Sequence, residues 1–152
     1  MVIDLQDVKD ELGITTAGSD YELTRKIDAA EAEYAQHVGP LPGTYTRTAS
    51  LPFLLPRGVT SVVPVAGVTA DLFSGLVTGY VYGQTSITYT VGPLPANHYE
   101  AIIADIAELW DRSQRDVAVS RPAFDTGDLA VGTVRPVTQW PRIRALAASG
   151  IA

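Results

Sequence analysis

The sequence has no cysteine, one methionine, two lysines and two histidines among its 152 residues. Without cysteine there is no disulfide scaffold, thiolate zinc site, iron–sulfur cluster or cysteine nucleophile. Such a chain is compatible with a reducing compartment. Charge is also scarce: 18% of residues are charged and the net charge is −6. Eleven bases in an acidic chain are a poor means of gripping phosphates. No run approaches the eighteen consecutive apolar residues of a membrane span. The first residues, Met1 to Glu11, carry acids in place of the basic and apolar regions of a secretory signal. The length suits one domain, which at this size buries about 68–70% of its unfolded surface without a staple.

The few charges are unevenly placed. Residues 1–38 hold nine acids and three bases, residues 39–96 one acid and two bases, and residues 97–115 four acids and two bases. The tail, 116–152, holds three acids and four bases. The two acidic stretches have helical periodicity, and the uncharged middle is rich in Gly, Pro, Val, Thr and Tyr.

Asp4 is placed to cap a short helix over 4–12 whose apolar positions are Leu5, Val8 and Leu12, and Gly13 is placed to end it. Ser19 and Glu22 have capping-box spacing ahead of a helix over 20–38. Its apolar face is Leu23, Ile27, Ala30, Tyr34 and Val38, and Gly39-Pro40 stops it. Asn97 and Glu100 repeat the capping-box spacing before a third helix over 97–115. That helix carries a stripe of Tyr99, Ile102, Ile103, Ile106, Leu109 and Trp110, the clearest periodic signal in the chain. The expected core is therefore Leu23, Ile27, Tyr34, Ile102, Ile103, Ile106, Leu109 and Trp110. Asp105, Glu108, Asp111 and Arg112 are i, i+3 and i+4 neighbours, as on an exposed face opposite that stripe.

Between the helices, over 43–92, the period switches to two. Thr44 to Thr48 alternates, Val59 to Val65 is β-branched, and Ile87, Tyr89 and Val91 alternate with threonines. Tyr80–Tyr82 before Gly83-Gln84 predicts a hairpin across those two residues. Ten prolines keep the strands short. The fold class is α+β and predominantly helical: a small bundle of about three helices with a short-stranded insertion and an extended C-terminal arm.

That arm, 116–152, has no sustained period. Only 141–148 has the spacing of a short helix, through Ile143 and Leu146. Yet it carries Phe124, Leu129, Val131, Val134, Val137 and Trp140. Over thirty nearly uncharged, apolar, loop-like residues are unusual in a self-contained domain. They read either as a strap around the chain's own core or as an arm that orders on a partner subunit.

Candidate chemistry is sparse. His37 and His98 lie near helix ends, where a structural role suffices, His37 being favourable at a C-terminus. Asp4, Asp7, Asp10 and Glu11 cluster on a short helix, but their spacing is that of a solvated face rather than a cation site. No phosphate-binding glycine motif, nucleophile elbow or zinc-protease spacing occurs. Tyr80, Tyr82 and Tyr89 suggest a stacking platform for nucleic acid. With only Arg47 and Arg57 nearby, cross-strand tyrosine pairing is the simpler use.

The order of elements resembles the head–tail connector, or adaptor, proteins of long-tailed bacteriophages. The resemblance rests on Asp4–Ile14 with Asp20–Leu23 and Ala29–Tyr34, on Leu54–Val62 with Ile87–Gly92, and on Ala101–Gln114 with its Ala107-Glu108-Leu109-Trp110. The closing Trp140–Leu146 and Gly150–Ala152 are also similar. It implies a structural virion protein with no catalytic residue, cofactor or metal. Copies would form a ring, usually a dodecamer, below the portal at the head–tail neck, after assembly in the host cytoplasm. The ring would extend the channel through which genomic DNA passes non-specifically. Residues 1–115 would form the connector body, and the C-terminal arm would reach the portal protein. The opposite face would receive a stopper or tail-completion protein. Phe124, Leu129, Val131, Val134, Trp140, Ile143 and Leu146 would then be portal or subunit contacts. The alternatives are another ring-forming neck protein, such as a head-closure stopper, and a small cytoplasmic enzyme or ligand-binding domain.

Overall fold

The computed structural model describes residues 2–119 and 140–149. Among the described residues, four α-helices and two three-stranded antiparallel sheets make an α+β fold. Helix α1 spans Leu5–Leu12. Asp4 adopts extended backbone, and its carboxylate accepts from the Gln6 N–H at 2.7 Å, satisfying one of the free donors of the first turn. Gly13 ends the helix at φ 66°, and its N–H and that of Ile14 donate to carbonyls of the last turn.

A single 3-10 turn, Ala17–Ser19, leads into α2, Asp20–His37. The expected capping box does not form. Ser19 has φ −98° and ψ −4°, not the extended backbone a capping hydroxyl needs, and its side chain makes no cap bond. The preceding turn already supplies Ala17 O to the Asp20 N–H. The Asp20 carboxylate instead accepts from Lys9 Nζ at 2.8 Å, joining α1 to α2.

Helix α3 spans Ala96–Val119, starting before Asn97 and running past the expected end at 115. The Pro95 carbonyl accepts from the N–H groups of His98 and Tyr99, at 2.9 and 3.1 Å. Asn97 therefore lies inside the first turn and is not the cap. Helix α4, Pro141–Ser149, packs against both α2 and α3.

Six strands lie between α2 and α3: β1 Gly43–Ser50, β2 Phe53–Leu54, β3 Val59–Val62, β4 Val68–Ala70, β5 Leu76–Gly79 and β6 Gln84–Val91. One sheet has the order β1-β6-β3 and the other β2-β5-β4. The hairpin expected over Gly83-Gln84 is absent. Tyr80–Tyr82 is not a strand, β5 pairs with β4 and β2, and β6 pairs with β1 and β3. Burial decides the pairing. Thr85, Ile87, Tyr89 and Val91 of β6 all face inward, and β1 in register opposes Tyr45 to Tyr89. A one-residue slip would turn that whole set outward. Their tyrosine rings stack with centroids 5.8 Å apart. At the far end of β5, a Cβ on Gly79 would lie 2.4 Å from the Gly67 carbonyl, so only glycine permits that approach. The outer face of β1 and β6 is a row of hydroxyl pairs: Thr44–Thr90, Thr46–Thr88 and Thr48–Ser86 at 3.4, 3.0 and 2.7 Å.

Two hydrophobic clusters result. The helical cluster contains Ile3, Val8, Leu23, Ile27, Ala30, Tyr34, Ile102, Ile106, Trp140 and Ile143. Ile103, Leu109 and Trp110 are partly buried against it. The second cluster, under the strands, contains Phe53, Leu55, Val77, Ile87, Tyr89 and Val91.

Ile106→Ala is expected to destabilise the chain by about 2–5 kcal/mol, because the emptied site lies at the centre of the helical cluster. Thr46→Ala, on the exposed hydroxyl row, is expected to stay within about 0.5 kcal/mol. Urea unfolding of both variants distinguishes them, and equal losses would contradict this packing.

Candidate interaction surfaces

Of the expected arm, residues 116–119 continue α3 and residues 140–149 are rooted in the chain's own helical core. Asp105 on α3 is fully buried. Its carboxylate accepts from the backbone N–H of Arg142 at 3.0 and 3.2 Å and of Ile143 at 2.9 Å. These are first-turn donors of α4, which have no partner within their own helix, and a carboxylate there also complements the helix dipole. The Arg142 guanidinium bridges Asp105 and Glu108 at 3.1 and 3.0 Å. Arg144 pairs with Glu33 on α2 at 2.8 Å. The exposed role expected for Asp105 is thereby corrected. It lies three residues after Ile102 and four before Leu109, on the buried stripe, and its charge is satisfied by α4 instead of water.

The residues expected at a portal or subunit interface divide accordingly. Trp140 and Ile143 are buried in the helical cluster, and Leu146 packs partly against it. In this part the chain is a strap on its own core. Phe124, Leu129, Val131 and Val134 lie outside the described residues.

Glu31 is a second buried acid that periodicity did not mark. Its carboxylate accepts from the backbone N–H groups of Val2 and Ile3, the latter at 2.9 Å, and anchors the segment before α1. Three of the four acids clustered around α1 are likewise occupied. Asp4 caps, Asp7 accepts from the Tyr99 hydroxyl at 2.6 Å, and Asp10 accepts from Gln6 Nε2 at 2.7 Å. Among the described residues no group of three or more His, Asp or Glu side chains is arranged to hold a metal ion. No described helix is long and apolar enough to cross a membrane.

A cleft of about 520 Å³ opens where the end of β6 meets the helices. Tyr34, Pro40, Arg57, Pro93, His98 and Leu146 are among its walls. The Tyr34 hydroxyl and His98 Nδ1 share a 2.7 Å hydrogen bond, and their rings meet edge-on. Burial pushes the Tyr34 phenol above its ordinary pKa. Burial and the Asp7 carboxylate do the same to Tyr99. His37 pairs instead with Glu33 one turn back, at 3.3 Å.

Apart from Tyr21 on α2, the exposed large apolar side chains among the described residues lie in the strand region. Leu54 and Leu76 form an exposed cross-strand pair, and Phe73, Tyr80 and Tyr82 are essentially fully exposed. The tyrosines thus divide: Tyr89 pairs across the strands with Tyr45, while Tyr80 and Tyr82 do not pair. The loop presenting Phe73 is tied by Asp71, whose carboxylate accepts from Ser74 Oγ at 2.6 Å and the Phe73 N–H at 3.0 Å. These donors, Ser74 first, hold the Asp71 carboxyl below its usual pKa. Arg47 stacks on Phe53 and donates to the Leu54 carbonyl.

No family model and no curated protein matches the chain. Among solved structures, it is similar to a chain from the neck of an empty GTA particle computed with C6 symmetry. The TM-score is 0.59 at 15% identity, covering 95% of this chain and 89% of that one. The likeness is one of fold, and it extends over the helices and the strand insertion together.

Asp105→Ala should destabilise the chain by about 2–4 kcal/mol, since α4 loses its cap and Arg142 a partner. Hydrogen exchange should rise most across 141–149; uniform protection would contradict the anchoring role. Alkaline pH should also weaken the helical body. Tyr34 and Tyr99 favour the neutral phenol when folded, so their contribution is intact below the ordinary value of 10.0 and is lost as pH rises through the elevated one. Absorbance titration of phenolate, with Tyr34→Phe and Tyr99→Phe for assignment, checks this. Ionisation of both at the free-tyrosine value would refute it.

Proposed function

We propose that this chain is a structural virion protein, a head–tail connector or adaptor without catalytic activity. The observation that carries the reading is the fold likeness to a neck chain across nearly the whole sequence. In this reading copies form a ring below the portal, extend the DNA channel and offer their far face to a stopper or tail-completion protein. A neck computed with C6 symmetry is compatible with a dodecamer, which six-fold symmetry divides evenly. The charge pattern also supports a conduit. Acids concentrate on the helices, and a like-charged wall does not hold passing DNA.

Residues 116–139 supply the portal contact, with Phe124, Leu129, Val131 and Val134 as its apolar anchors. Trp140 and Ile143 act as the root that fixes this stretch to the body, because both are buried there. Removing all of 116–152 is therefore not a clean test, since it also strips two core residues. Phe124→Asp combined with Leu129→Asp should leave the melting temperature nearly unchanged and abolish co-purification with the portal protein of the same phage. Electron microscopy of necks from that phage should place the chain as a ring against the portal. Its absence from the neck would overturn the assignment.

A further inference from the structure

Tyr80 and Tyr82 stand on the connection between β5 and β6, at 96% and 100% exposure, with Val81 between them. Neither phenol has a hydrogen-bond partner among the described residues. The cleft bounded by Tyr34, Arg57 and His98 opens at the other end of β6, beside Val91. Eight residues of extended strand separate the two by roughly 24 Å. One subunit thus presents an aromatic tip at one end of a strand and a concave site at the other.

We propose that the Tyr80–Tyr82 tip of one copy seats in the Tyr34/His98/Arg57 cleft of a second copy of this chain. Three observations favour this occupant. The first is electrostatic. The helical stretches 1–38 and 97–115 each carry net negative charge, so body-to-body contact opposes like charges. Residues 76–87 contain no charged residue, and the charged side chain on the cleft wall is the exposed Arg57. An aromatic face is a favourable partner for a guanidinium.

The second observation is chemical. The cleft combines proline and leucine walls with the hydrogen-bonded Tyr34–His98 pair. Tyrosine suits such a site, having an apolar ring and a polar end. The third is size. A cleft of about 520 Å³ lies within the range that encloses a ligand-sized group. Two tyrosines contribute on the order of 300–500 Å² of contact area, against about 800 Å² per partner in a standard interface. They are the anchors at the centre of such a flank.

Tip and cleft are different surfaces, so the contact is head-to-tail and propagates from copy to copy. The proposal rests on the ring reading only for closure of that array. The full-length chain is expected to self-associate in sedimentation velocity at concentrations on the order of 100 μM. Tyr80→Ser with Tyr82→Ser should weaken association at least about tenfold, and Arg57→Glu should weaken it from the other flank. Both sites are exposed, so melting temperatures should be unchanged. Mixing tip-defective with cleft-defective chains restores one intact contact per pair and should yield dimers but nothing larger. A photo-crosslinker at position 82 should map to 57–58 or 93–98 of another copy. A monomeric wild type, wild-type association by either variant, or crosslinks elsewhere would each overturn the proposal. A neck ring that forms despite the tip variant would sink this contact and leave the connector reading standing. A tip–cleft contact in a chain absent from the neck would do the reverse.

Discussion

The helical half of the chain is organised around one buried carboxylate. Asp105 sits inside an apolar stripe, where an unpaired charge would be strongly unfavourable. Its two oxygens accept from the first turn of α4 and from Arg142. The same bonds solve two problems, the charge of Asp105 and the free donors of a helix that begins at Pro141. Once α4 is seated, Trp140 and Ile143 complete the cluster begun by α2 and α3. Arg144 then reaches Glu33, so the closing helix touches both of the longer ones.

The strand region obeys a different constraint. Its sheets are small, and their inner faces share one modest cluster centred on Val77, Ile87 and Tyr89. Because β6 is flanked by β1 and β3, it is the one long strand among the described residues with partners on both sides. The outer surface is left to hydroxyl pairs, exposed leucines and exposed aromatics, with hardly any charge. Such a surface has little to keep it apart from another protein and a good deal of apolar area to bury against one. The acidic helices and the nearly uncharged strands thus divide the chain into a charged half and an apolar, hydroxyl-rich half.

Much of this was legible residue by residue. Asp4 and Gly13 bound α1 as their chemistry requires, and the stripes on α2 and α3 supply most of the helical cluster. The alternation Ile87, Tyr89, Val91 marks the buried face of β6. Other signals misled because they are local. Ser19 has the identity and spacing of a cap, but a turn upstream gives it the wrong backbone. Gly83-Gln84 follows a plausible strand, but β6 gains more from the long-range partner that places Tyr45 on Tyr89. By sequence alone Asp105 reads as part of a solvated face, because acids usually belong to one. The contrary signal was its position between Ile102 and Leu109, together with a tryptophan and a proline opening a short apolar helix near the chain's end.

Composition and period were enough to mark the bulk of the helices, strands β1, β3 and β6, where charge gathers and which residue types are missing, but they marked neither β2, β4 and β5 nor the last turn of α3. These properties depend on neighbours within a few positions, and those are written consecutively in the chain. Partnership was settled by folding. Which strands pair, which acid is buried, whether the closing segment lies on its own core, and which aromatics remain in water all depend on residues from about ten to more than a hundred positions apart. The burial that makes one arrangement favourable exists only once those distant surfaces meet.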